Sequence, residues 1–129
     1  MRLFLRFIFI CVLLSVSAAV TGQVVTTNPV AVTSNSTSIT ITFHADGGNK
    51  GLMGSPSTTG IYAHTGVITD KSNGAWKYAP TWGDNAEKYK LKYVSANTWT
   101  LTIPDVRSYY GITDTSETVE KLCFVFRNA

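Results

Sequence analysis

Tyr62, His64, Trp76 and Lys77 are the residues whose types and spacing could do chemistry. In Gly60-Ile61-Tyr62-Ala63-His64-Thr65-Gly66, strand alternation puts Ile61, Ala63 and Thr65 on one face and Tyr62 and His64 on the other. A polar loop follows, Thr69-Asp70-Lys71-Ser72-Asn73-Gly74, and then Trp76-Lys77-Tyr78-Ala79-Pro80-Thr81-Trp82. Two flat rings on a strand, followed by a loop with two indoles, suit a sugar. The axial hydrogens of a glucose ring form an apolar patch that an aromatic face can cover, while polar neighbours bond the hydroxyls. Tyr62 and Trp76 supply faces; His64, Lys77, Asp70 and Lys71 could supply hydrogen bonds. The competing reading is that Trp76 and Trp82 cover the open end of a β-sandwich core. Trp82 is read as core or rim, and Trp99, alternating with Leu101 and Ile103, as core.

Other chemistry finds less support. Glycoside hydrolysis needs two carboxyl groups ~5 to 10 Å apart. Asp46, Asp70, Asp84, Glu87, Asp105, Asp114, Glu117 and Glu120 fall almost entirely in turns and loops, and none combines a burial signal with an acid partner. There is no Gly-x-Ser-x-Gly elbow and no phosphate loop. No cofactor motif is present. Asp46 and Asn49 could be calcium ligands, but their spacing is not that of an EF-hand and a plain turn accounts for them. His44 and His64 are two where a zinc site wants three or four ligands. Arg107, Tyr109 and Tyr110 are read as docking a helical turn on a sheet. The expectation is a chain that is not itself an enzyme.

Such a site needs a scaffold of strands, and the chain is long enough for one domain. It has 129 residues, 44% of them hydrophobic. Residues 1–22 read as a secretory signal peptide: Arg2 and Arg6, then the apolar run Phe7 to Leu14, then small residues from Ser15 to Gly22. Cleavage could follow Ala19 or Gly22. The apolar run falls short of the ~20 residues of a comfortable membrane span. Cys11 follows Ile10, where a lipoprotein signal needs a small residue. Residues 23–129 then form the domain. Eleven basic residues less Arg2 and Arg6 leave nine against eight acidic ones, a net charge of +1, which removes the case for a nucleic-acid surface. Cys123 is the one cysteine left, read as a buried small hydrophobe. With about 107 residues, burial of ~65% of the unfolded surface is feasible without a disulfide.

Period-2 patterns predict an edge strand in Val24–Val32, broken at Asn28-Pro29, and the clearest strand at Ser38–His44, with Ile39, Ile41 and Phe43 together. Ala45–Thr59 is a long turn-rich loop. Tyr89–Tyr93 and Thr98–Ile103 predict a hairpin with a turn of three or so residues around Asn97. Asp105 is a fair N-cap for one helical turn through Tyr110, closed by Gly111. Leu122–Phe126 is the last strand. The fold class is all-β: an antiparallel, immunoglobulin-like β-sandwich. Since the sequence stops directly after an apolar strand, the sandwich is expected to lack its last strand or strands and the chain to be the front of a longer polypeptide.

Several segments together carry a resemblance: Ile39–Ala45, Gly48-Asn49-Lys50-Gly51-Leu52, Ile61–Thr69, Asp105–Gly111 and Lys121–Ala129. The chain resembles the N-terminal β-sandwich domain of secreted alpha-amylase-type glycoside hydrolases of glycan-using Gram-negative bacteria. That domain is similar in layout to the starch-binding modules of carbohydrate-binding module family 26. In those modules a tyrosine and a second aromatic alternate on one strand and a tryptophan follows in the next loop. The matching positions are Tyr62, His64 and Trp76, with histidine in place of the second aromatic. The resemblance implies a non-catalytic domain for starch-like α-glucan, exported to the periplasm, cell surface or beyond. Its partners would be the polysaccharide and a catalytic glycosidase domain in the same or a neighbouring polypeptide, with no nucleic acid and no membrane after signal removal. The alternative is a structural spacer domain with no ligand of its own.

Overall fold

Strand Thr37–His44 frames the molecule because it alternates without a break from Ile39 to His44. Ile39, Ile41 and Phe43 are fully buried while Thr40, Thr42 and His44 are half-buried on the other face. The computed structural model describes residues 8–13 and 23–129. In chain order the strands are β1 (Ile8–Leu13), β2 (Val25–Asn28), β3 (Thr37–His44), β4 (Ile61–Thr69), β5 (Lys92–Ser95), β6 (Thr98–Asp105) and β7 (Val119–Asn128), with helical turn α1 (Val106–Tyr110) between the last two.

The strands make two antiparallel sheets, one in the order β2-β3-β6-β5 and the other β1-β7-β4. They pack face to face. Phe43 of the first sheet stacks on Phe126 of the second, with ring centroids 4.2 Å apart. Around this pair lie Ile39, Ile41, Trp99, Leu101 and Ile103 from one sheet, and Ile61, Ala63, Val67, Leu122 and Phe124 from the other. The all-β sandwich expected from the sequence is therefore the fold, and Trp99 is core at 1% exposure.

Asp105 caps α1 by accepting the Ser108 amide at 2.8 Å, and Gly111 closes it in the left-handed region, as the sequence suggested. Tyr109 and Tyr110 are buried beneath the turn. Arg107 reaches sideways instead of down onto a sheet, donating to Asn35 Oδ1 at 2.8 Å and to the Asp114 carbonyl at 3.1 Å.

Two boundaries differ from expectation. Glu87–Tyr89 is a 3-10 turn, and β5 begins only at Lys92. The turn is clasped to α1: the Tyr109 hydroxyl donates to the Lys88 carbonyl at 2.6 Å, and Lys88 Nζ donates to the Tyr109 carbonyl at 2.7 Å. The hairpin turn is only Ala96-Asn97, with Asn97 left-handed at φ 61°. Asn97 also anchors the long loop, its side-chain oxygen accepting from the Gly54 amide at 2.8 Å.

The segment Ile8–Leu13, read as the apolar part of a signal peptide, pairs here as β1 along β7. The basic start of that peptide and both candidate cleavage positions lie outside the described residues.

Candidate functional site

The outward face of β4 carries Tyr62, His64 and Gly66, and β7 sets Arg127 opposite Tyr62 and Val125 opposite His64. The loop with Trp76 lies directly on this face. Lys77 and Val67 exchange both backbone hydrogen bonds, at 2.7 and 3.0 Å, so the loop is a one-residue extension of the sheet. Gly66 permits this approach. A Cβ there would lie 3.0 Å from both the Lys77 carbonyl oxygen and Ala79 Cβ, and 3.3 Å from the Trp76 ring.

Glu117 fixes the loop from behind. Its carboxylate is 2% exposed. It accepts from Lys77 Nζ at 2.6 Å, from Thr69 Oγ1 at 2.7 Å and from the Tyr78 hydroxyl at 2.7 Å. The hydrogen bond from Lys77, then those from Thr69 and Tyr78, lower its pKa to about 2. Tyr78 holds a left-handed backbone, φ 60°, a conformation of order 1–3 kcal/mol above the ordinary regions that its neighbours must over-determine. A second tie lies beside it. Lys71 Nζ donates to Asp114 Oδ2 and Ser116 Oγ, and Asp70 accepts the Thr118 amide.

The rings converge. His64 lies nearly parallel to Trp76, with centroids 5.9 Å apart at 18°, and meets Trp82 edge-on at 4.9 Å and 61°. The Arg127 guanidinium sits 5.5 Å from the Tyr62 ring centre and 5.7 Å from that of Trp82. Its Nη2 holds the following loop through the Asp84 carbonyl and Asn85 Oδ1, both at 2.7 Å. Tyr62, His64 and Trp76 are half-buried, whereas Trp82 is 50% exposed and forms the rim, not the core. Burial, and secondarily the charge of Arg127, lower the pKa of His64, so the ring is neutral at pH 7. Its Nδ1 is buried with no hydrogen-bond partner.

Of the residues singled out in the sequence, the structure thus gathers Tyr62, His64 and Trp76 on one face and adds Trp82 to them. Lys77 is committed to Glu117, and Asp70 and Lys71 to the 114–118 segment, so three of the four polar groups expected to serve a ligand, all but His64, are already engaged. His44 lies on the other sheet, with its Nε2 3.4 Å from Thr26 Oγ1. Among the described residues no three His, Cys, Asp or Glu side chains are grouped to hold a metal ion. Sequence reasoning missed Arg127, Gly66 and Glu117. Arg127 could have been found, as the one charge at an outward position of the apolar strand Leu122–Arg127. Glu117 gave no signal within the polar run Thr113–Glu120.

The arrangement can offer flat apolar faces at two inclinations with a cation between them. Glu117, the buried acid beneath it, is held ionised by three donors and is not poised to give up a proton. No family model and no curated protein matches the chain.

Proposed function

We propose that the chain is an exported, non-catalytic carbohydrate-binding domain for starch-like α-glucan, accessory to an alpha-amylase-type glycosidase. The observation that carries this reading is the convergence of Tyr62, His64, Trp76 and Trp82 on the outward side of the β4–β7 pair, with rings at different inclinations. Aromatic faces set at an angle suit a curved chain of glucose units. The domain would hold polysaccharide beside an enzyme and raise its effective concentration.

A structural spacer is the second reading. It is favoured by the engagement of Lys77, Asp70 and Lys71 within the protein and by the packing of His64 against two indoles. Affinity electrophoresis in amylopectin separates the two. The binding reading expects retardation of the wild-type chain and its loss in Trp76→Ala and Tyr62→Ala. Unretarded migration of the folded wild type would leave the spacer. Retardation that survives both substitutions would move the site elsewhere.

A further inference from the structure

Arg127 is a cation that the fold buries at a cost. The β4–β7 register sets it directly opposite Tyr62, and it is 4% exposed. The ion pairs among the described residues are Lys71–Asp114 and Lys77–Glu117, so no carboxylate pairs with Arg127. Its Nε is buried without a hydrogen-bond partner. A methionine or leucine could fill the same space without the desolvation of a guanidinium. What a planar fork adds is direction.

That direction is towards Trp82. Trp82 and Gly83 are the middle of a four-residue turn, in which the Asp84 amide donates to the Thr81 carbonyl at 3.1 Å and Gly83 takes φ 90°. Arg127 Nη2 grips the far end of this turn at the Asp84 carbonyl and Asn85 Oδ1, while Nη1 donates to the Asn128 carbonyl. The guanidinium also lies within cation–π range of both the Tyr62 and the Trp82 rings. One side chain thus ties the turn to β7 and touches the strand ring and the turn ring together. The indole so held is half exposed, and the core gains little from it.

We propose that Arg127 is the positioning residue of the carbohydrate site. It fixes Trp82 relative to Tyr62, and Trp82 is a ring that meets the glucan. This rests on the reading of the outward β4 face as a glucan-binding surface. The sugar need not touch Arg127, which acts through the indole.

The test is a double-mutant cycle on the full chain, read by affinity electrophoresis over a series of amylopectin concentrations, with urea unfolding of each variant alongside. The variants are Trp82→Ala, Arg127→Met and the two combined. Methionine keeps an apolar stem in place of the arginine stem and removes the fork. Each single substitution is expected to weaken retardation about three- to tenfold, the size of one aromatic contact. The combined variant is expected to be no weaker than Trp82→Ala, because a clamp has no effect once the ring it holds is gone. Should Arg127→Met unfold, Arg127→Lys takes its place in the cycle, keeping the charge and losing the fork. Losses that add in the combined variant would show Arg127 acting by some route other than Trp82 and overturn the positioning role. Undiminished retardation of Trp82→Ala would leave the site to Tyr62 and Trp76 and overturn a glucan-facing Trp82. A loss in Trp82→Ala with none in the Arg127 variant would overturn the clamp. A folded wild type that is not retarded removes the glucan-binding reading itself, and this proposal with it; each of the other overturning results leaves that reading standing.

Discussion

Inward, β4 presents Ile61, Ala63 and Val67, fully buried, and Thr65, whose hydroxyl donates to the Cys123 carbonyl at 2.8 Å and lies 2.7 Å from the Tyr110 hydroxyl. Outward, the same strand presents Tyr62, His64 and Gly66 under rings held by Arg127 and Glu117. The inner face is made by burial alone and tolerates one polar group because that group is satisfied. The outer face combines half-buried rings with ions that fix the loops carrying them. The difference teaches that the inner face determines whether the domain folds, while the outer face determines what surface the folded domain shows.

Substitutions should separate the two. Phe124→Ala removes a ring stacked 5.6 Å from Phe126 in the centre of the core. A loss of about 3–5 kcal/mol of stability is expected, read from urea unfolding. A loss below about 1 kcal/mol would show that the inner face is not the main support. Gly66→Ala strikes the outer face at its closest approach. The new methyl meets backbone oxygen, not a flexible chain end, so a loss of about 1–3 kcal/mol is expected as the loop is pushed off the strand. Tryptophan fluorescence should shift to the red as Trp76 is released. A variant of wild-type stability and emission would mean that the loop is not seated on Gly66.

Glu117 gives the outer face a pH signature. Its pKa falls from the usual 4.5 to about 2 on folding. A carboxyl group lowered in this way stabilises fully above pH 4.5, and that contribution is lost as pH falls through about 2. The difference in urea midpoint between wild type and Glu117→Gln should therefore shrink from pH 6 to pH 2. A difference that stays constant over that window would show that the ionised carboxylate does not hold the loop.

The inner face was legible in the sequence because burial writes itself as alternation. Ile39, Ile41 and Phe43, and likewise Leu122, Phe124 and Phe126, occupy every second position and are core. The helical turn was legible because Asp105 and Gly111 are local signals with local causes. The outer face was legible in its rings and not in its anchors. Lys77 reads as a free cation until the fold brings Glu117, forty positions on, to its side. Gly66 reads as a strand glycine until a loop is laid over it. Long-range pairings of this kind leave no period in the chain. Nor does any pattern disclose that the apolar run Ile8–Leu13, which has the composition of a signal peptide, can also complete a sheet.

His64 carries the smallest and most discriminating effect, since it touches both indoles. Burial, and then the charge of Arg127, lower its pKa from 6.5. The folded state thus prefers the neutral ring, and its contribution is present above pH 6.5 and lost as pH falls from there through the lowered value. The wild-type chain should lose slightly more stability than His64→Gln between pH 7.5 and pH 5, with NMR of the ring giving the titration directly. Carbohydrate binding adds a further sign. Glucan laid over these rings would desolvate His64 more and lower its pKa again, so retardation in amylopectin should weaken from pH 7.5 to pH 5 in the wild type but not in His64→Gln. A spacer whose rings only pack on one another would show the stability effect without the retardation effect. His64 titrating at the value of an exposed histidine would mean that the indoles do not enclose it, and the outer face would then not be the surface described.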